Sequence, residues 1–91
     1  MPSYLVETYL ARGDAGGRAA SEQRARSAAE ELTRQGTRVR FDRAIHVPED
    51  EICFYVFDAP SSVAAVLLAE RAGLDHLRVV EAIPSGEEHR S

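Results

Sequence analysis

The chain has 91 residues, 44% hydrophobic and 29% charged, with eleven basic residues against fifteen acidic and a formal net charge of −4. That length suits one small domain with a modest core, and that balance excludes the basic face of a nucleic-acid binder. One cysteine excludes an internal disulfide framework, and no apolar run is long enough to cross a bilayer as a helix.

A cytoplasmic protein is the expectation, with neither nucleic acid nor membrane as partner. The start, MPSYLVETYL, lacks the basic segment and apolar core of a secretory signal. All eleven basic residues are Arg, and Ala is abundant. This reads as GC-rich codon usage in a bacterial source, not as chemistry.

Ser3 to Leu10 reads as a strand, rich in Tyr, Val, Leu and Thr. Arg12 to Gly17 is a loop by its Gly and Asp content, and its Arg-Gly-Asp triplet belongs to that loop. Arg18 to Gln35 is helical, with Ala25, Ala28, Ala29 and Leu32 as one narrow apolar stripe and Gly36 as the stop. Thr37 to Val47 reads as a second strand. Pro48, Glu49 and Asp50 turn the chain into a third, Ile52 to Asp58, apolar on both faces. Ser61 or Ser62 caps a second helix running to about Ala72, with Val63, Val66 and Leu67 on its period and Gly73 closing it. Arg78 to Ile83 is the last strand. Residues 1–85 form the domain, and 86–91 end a polar tail.

The order βαββαβ predicts a ferredoxin-like α+β sandwich: a four-stranded antiparallel sheet with two helices on one face and strand order 4-1-3-2. The tight turn between the second and third strands forces an antiparallel pair. Placing Val47 opposite Ile52 sets Ile45 opposite Phe54, His46 opposite Cys53, Ala44 opposite Tyr55 and Asp42 opposite Phe57. A slip of one residue would mix the apolar sets. Strict alternation then assigns Val39, Phe41, Ile45, Val47, Ile52, Phe54 and Val56 to the helix-covered core, with Tyr4, Val6, Thr8 and Leu10. Leu5, Glu7, Tyr9, Asp42, His46, Cys53, Tyr55 and Phe57 fall on the other face, joined by Val79, Glu81 and Ile83.

That second face is too apolar for open solvent, so a homodimer packing sheet against sheet is expected. The two sheets either meet tightly or enclose a pocket lined by Glu7, Tyr9, His46, Cys53, Tyr55 and Glu81.

The segments YLVETYL, VPEDEICFYVFDAPS and ERAGL…RVVEAI resemble a family of short bacterial proteins of unknown general function with a ferredoxin-like fold, some described as nickel-binding. The resemblance spans Tyr4 to Ile83. It rests most on the acidic turn, the Cys53–Phe54 step and the Ala59–Pro60–Ser61 helix entry. It implies a divalent metal, with nickel favoured, and no defined ligand set. The Gly73–Arg78 link is shorter than the family's usual one.

From the residues themselves, His46 and Cys53 are the metal candidates. Imidazole and thiolate suit nickel or zinc, and facing strand residues bring their Cβ atoms within about 4.5–5.5 Å. Two ligands leave the shell incomplete, to be filled by Glu7, Glu51 or water. The competing reading is a packed cysteine beside a plain strand histidine. His76 beside Asp75, and His89 beside Glu87 and Glu88, are weaker cation candidates. Glu7 and Glu81 on neighbouring strands form a possible acid/base pair, or an ion-pairing partner for Arg40. An isomerase- or oxygenase-like pocket in a dimeric α/β barrel is one alternative, and an interaction protein without ligand is another. No nucleophile motif or phosphate loop favours an enzyme. The reading is therefore a metal-binding homodimer, not an enzyme.

Overall fold

The structure, a computed structural model, describes residues 1–83. The polar segment 84–91, with His89 and the expected tail boundary, lies outside the described residues. The chain runs β1 (Ser3–Tyr9), α1 (Ala15–Arg34), β2 (Arg40–Val47), a short 3₁₀ turn (Pro48–Asp50), β3 (Ile52–Asp58), α2 (Ser62–Arg71) and β4 (His76–Ala82).

Local chemistry sets these ends. The Asp14 carboxylate accepts the Gly17 amide at 3.0 Å, so α1 begins three residues earlier than composition suggested. A side chain at Gly17 would collide with that carboxylate. The Ser61 hydroxyl accepts the Ala64 amide at 3.2 Å and starts α2. Gly73, at φ +70, ends the helix, and the Leu74 amide returns to the Ala69 carbonyl at 2.9 Å.

The sheet is antiparallel with order β2-β3-β1-β4, the ferredoxin-like arrangement expected. The helices cover one face. There Ala25, Ala28, Ala29 and Leu32 of α1 and Ala64, Ala65, Leu68 and Ala69 of α2 close on the strands. Alanines let the helices approach closely, and the large side chains come mostly from the sheet. Val6, Tyr55, Phe57 and Leu68 are fully buried. Each contributes on the order of 1.5–3 kcal/mol of hydrophobic stabilisation.

The face assignment is corrected for β3 and half of β2. The pairs Val47–Ile52, Ile45–Phe54 and His46–Cys53 form as expected. Between Phe41 and Arg43, however, the ladder shifts, and Phe41 rather than Asp42 faces Phe57. Asp42 is the extra residue of a bulge. Val39 and Phe41 therefore face the helices, while Arg43, Ile45 and Val47 face away. Strict alternation had kept all the apolar members together.

On β3 both alternating sets are apolar, so alternation could not choose between them. Cys53, Tyr55 and Phe57 go inward, at 0%, 2% and 0% exposure. They pair with Thr8, Val6 and Tyr4, which are also inward as expected. Ile52, Phe54 and Val56 lie on the open side with Tyr9, Glu7 and Leu5. Val56 is screened by its neighbours yet stands apart from the helix-covered core. A second correction concerns α2. Val63 is 76% exposed and Leu67 39%, because the Ala-rich face carrying Leu68 is the one that packs.

Candidate functional site

The six sequence candidates do not share one surface. Glu7 and Tyr9 belong to the open face. His46, Cys53 and Tyr55 sit beneath the helices, and Glu81, across from Tyr4, is on that side too, at the exposed β4 edge. The proposed acid/base pair is also separated. Glu7 faces Arg78, whose Nε donates to Glu7 Oε1 at 2.8 Å. Arg40 pairs with Asp58, donating from Nε and Nη2 at 2.9 and 2.7 Å, and not with either glutamate.

One row of residues crosses the covered face near its turn end: His46 on β2, Cys53 on β3, Thr8 on β1 and His76 on β4. The Thr8 hydroxyl donates to the Cys53 carbonyl at 3.0 Å and ties the middle of the row. At its two ends, His46 Nε2 and His76 Nδ1 are buried without a hydrogen-bond partner. Buried polar atoms are nearly always paired, so each such atom calls for a water, an ion or a proton partner. Adjacent strands are about 4.8 Å apart, so the histidines lie about 14 Å from one another across three strand spacings. They cannot share one ion. His46 and Cys53 can.

The first half of α1 roofs this end. Burial pushes the Cys53 thiol above its ordinary value; Tyr55 and Arg18 oppose the shift and Glu22 adds to it. Burial likewise pushes the Tyr55 phenol up to about 12, against the pull of the Ser21 side chain. Both groups are therefore neutral at physiological pH. Cys53 is a protonated, shielded thiol, and it would bind a metal only by giving up its proton.

The other ligands suggested for that ion are engaged elsewhere. Glu7 faces away. The Glu51 carboxylate accepts the Arg12 amide at 2.8 Å, joining the entry of α1 to the β2–β3 turn. Among the described residues, no three His, Cys, Asp or Glu side chains stand together as a ready metal cluster. Sequence reasoning missed Glu22, the α1 carboxylate whose charge reaches both Cys53 and Tyr55. Its place depends on the packing angle of α1, which no local pattern encodes.

A polar pocket of about 160 Å³ opens beside the row, lined by Thr8, Tyr9, Ser21, Arg24, Tyr55 and Asp75. Arg24 spans its rim, donating to the Ala72 carbonyl at 2.9 Å and to the Ser21 hydroxyl at 3.0 Å. Tyr9, at the end of β1, and Tyr55 both contribute to its lining although their side chains leave opposite faces of the sheet. The pocket is smaller than the roughly 300–1,000 Å³ of organic-ligand sites, and suits water or a small ion.

No protein-family model matches the chain, and no curated protein matches it either. Among solved structures, it is similar to that described as the crystal structure analysis of SCO4226 from Streptomyces coelicolor A3(2). The fold is shared. The TM-score is 0.74 at 17% identity, covering 91% of this chain and 98% of the other. No helix among the described residues is long and apolar enough to cross a membrane.

Proposed function

We propose that the chain is a divalent-metal-binding protein, with His46 and Cys53 as its protein ligands. The observation that carries this reading is the buried, unpartnered Nε2 of His46 on the strand position facing Cys53. A metal ion would satisfy that nitrogen and draw the proton from the thiol. Glu22 swinging from α1, with water, would complete the shell. Nickel is the ion favoured by the resemblance noted above. Imidazole, thiolate and carboxylate together also suit zinc, so the experiment compares the two.

The alternative of an organic ligand between two sheets has less support. His46, Cys53, Tyr55 and Glu81 lie on the helix side and cannot line such a space. An enzymatic role has no supporting constellation among the described residues, since Glu7 is held by Arg78.

Nickel and zinc titration of the chelator-treated full chain, followed by calorimetry and near-ultraviolet absorption, tests the reading. The expected result is one ion per chain with a thiolate-to-nickel charge-transfer band. Cys53→Ala removes the band, and His46→Ala weakens binding by at least about tenfold, the cost of one lost ligand at roughly 1.4 kcal/mol. Parent-like binding by the His46→Ala, Cys53→Ala double variant would sink it.

A further inference from the structure

The second half of α1 lies along β2, an edge strand of the sheet, and a groove of about 540 Å³ opens between them. Its floor is apolar: Ala29, Val39 and Phe41, all packed into the core. Its wall carries Arg26, Glu30 and Arg34, spaced by four and so on one side of the helix. The volume falls within the roughly 300–1,000 Å³ of organic-ligand sites. We propose that this groove binds a small organic monoanion, a carboxylate on a flat apolar body, through Arg26 and Arg34. The site is separate from His46 and Cys53, which lie under the first half of α1, and it stands whether or not they hold a metal.

Charge selects an anion. The chain as a whole is acidic, at −4, yet this wall is basic. Among the described residues neither Arg26 nor Arg34 has a carboxylate partner, whereas Arg40, Arg43, Arg71 and Arg78 each have one. Arg40 also lines the groove, but Asp58 takes its charge at 2.7 Å. Glu30 offsets one of the two remaining guanidinium charges, so the groove suits one negative charge and not two. Arg26 is positioned in advance, its guanidinium carbon 5.2 Å from the centroid of the Phe41 ring. A guanidinium presents paired N–H donors that match the two oxygens of a carboxylate.

The strand edge decides against an acidic peptide. An extended peptide would bind here by adding a strand to β2. The Thr33 hydroxyl already donates to the Val39 carbonyl at 2.9 Å and accepts the Val39 amide at 3.3 Å. At Asp42 the bulge breaks the regular spacing of the same edge. Between those points only Arg40 and Phe41 remain, too short a run for a ladder. A discrete molecule needs no ladder. Its apolar body rests on Ala29, Val39 and Phe41, and its carboxylate accepts from the two arginines of the wall.

Nuclear magnetic resonance titration of the metal-free, isotope-labelled full chain with naphthoate tests the proposal. Saturable amide shifts are expected from Ala29 to Arg34 and from Val39 to Phe41. Arg26→Gln and Arg34→Gln, both at exposed positions, are each expected to weaken binding by at least about tenfold, the loss of a charge-assisted hydrogen bond. Arg43→Gln makes the same change of net charge on the open sheet face and is expected to bind as the parent does. The neutral alcohol analogue of naphthoate is expected to give no saturable shift at the same concentrations. Absence of saturation by about 5 mM overturns the proposal, as do shifts centred on the open sheet face. So does equal weakening by Arg43→Gln and the two groove variants, which would reduce the effect to net charge, and so does equal binding of the neutral alcohol.

Discussion

The two faces of the sheet are built from nearly equal apolar content and are treated in opposite ways. On β3, Cys53, Tyr55 and Phe57 disappear under α1 and α2, while Ile52 and Phe54 stay half-buried with no other element among the described residues over them. Hydrophobicity along β3 does not distinguish the two sets. What distinguishes them is the other side of each contact. The helices offer alanines, leaving depth for aromatic rings, and Phe41, Tyr55 and Phe57 fill it, with the Phe41 ring centroid 6.2 Å from that of Tyr55 and 5.7 Å from that of Phe57. The open face sets Leu5, Ile45, Val47, Ile52 and Phe54 beside the Glu7–Arg78 ion pair, which lies in its middle row. A strand that is apolar throughout can thus build a core on one side and leave an apolar surface on the other.

Large-to-small substitution should expose this difference most strongly. Phe57→Ala is expected to cost about 3–5 kcal/mol in the urea unfolding free energy, and Phe54→Ala less than half of that at concentrations where the chain is monomeric. Equal costs at the two positions would mean that the faces are not energetically distinct.

The bulge in β2 offers a second way to sharpen the comparison. Deleting Asp42 leaves Phe41 opposite Phe57 and Arg43 opposite Val56, so it should cost about 1 kcal/mol or less. Deleting Ala44 moves Arg43 against Tyr55 beneath α1, and should cost at least about 2 kcal/mol more. Thermal melts of the two deletions in parallel decide it. A costlier Asp42 deletion would show that the bulge stores needed twist and does more than switch the face.

Alkaline titration probes the covered face alone. Cys53 and Tyr55 are acids whose folded-state pKa values are raised by burial, from ordinary values of 9.0 and 10.0, with Tyr55 reaching about 12. Above pH 9 the unfolded chain releases protons that the folded chain keeps, so their contribution to stability falls as pH rises toward 12. Tyr55→Phe should flatten the fall between pH 10 and 12, measured by urea midpoints against the parent at each pH. An unchanged slope would contradict the buried phenol. The smallest effect belongs to the open face. Arg78→Ala should cost about 1 kcal/mol, because the Arg78 end of its ion pair is two-thirds exposed although the Glu7 carboxylate it leaves behind is only 17% exposed.

Much of the fold was legible in residue pattern. Ser61, Gly36 and Gly73 marked helix ends, while the Asp14 cap was read as loop, and Pro48–Asp50 placed the hairpin that sets His46 opposite Cys53. The inward direction of that pair was not legible. Alternation carries no information along a strand apolar on both sides, and one unpaired residue, Asp42, reverses the parity of β2. The unpartnered nitrogen of His46 and the reach of Glu22 were hidden for a related reason. Both depend on how α1 lies across the sheet, a tertiary relation that local periodicity does not contain.

The central proposal is that His46 and Cys53, on the covered face, hold a divalent metal. Native mass spectrometry of the parent and of the His46→Ala, Cys53→Ala double variant, each with added nickel, tests it most directly. The account predicts one ion retained per parent chain and none in the variant. Equal retention by a double variant that remains folded would contradict it.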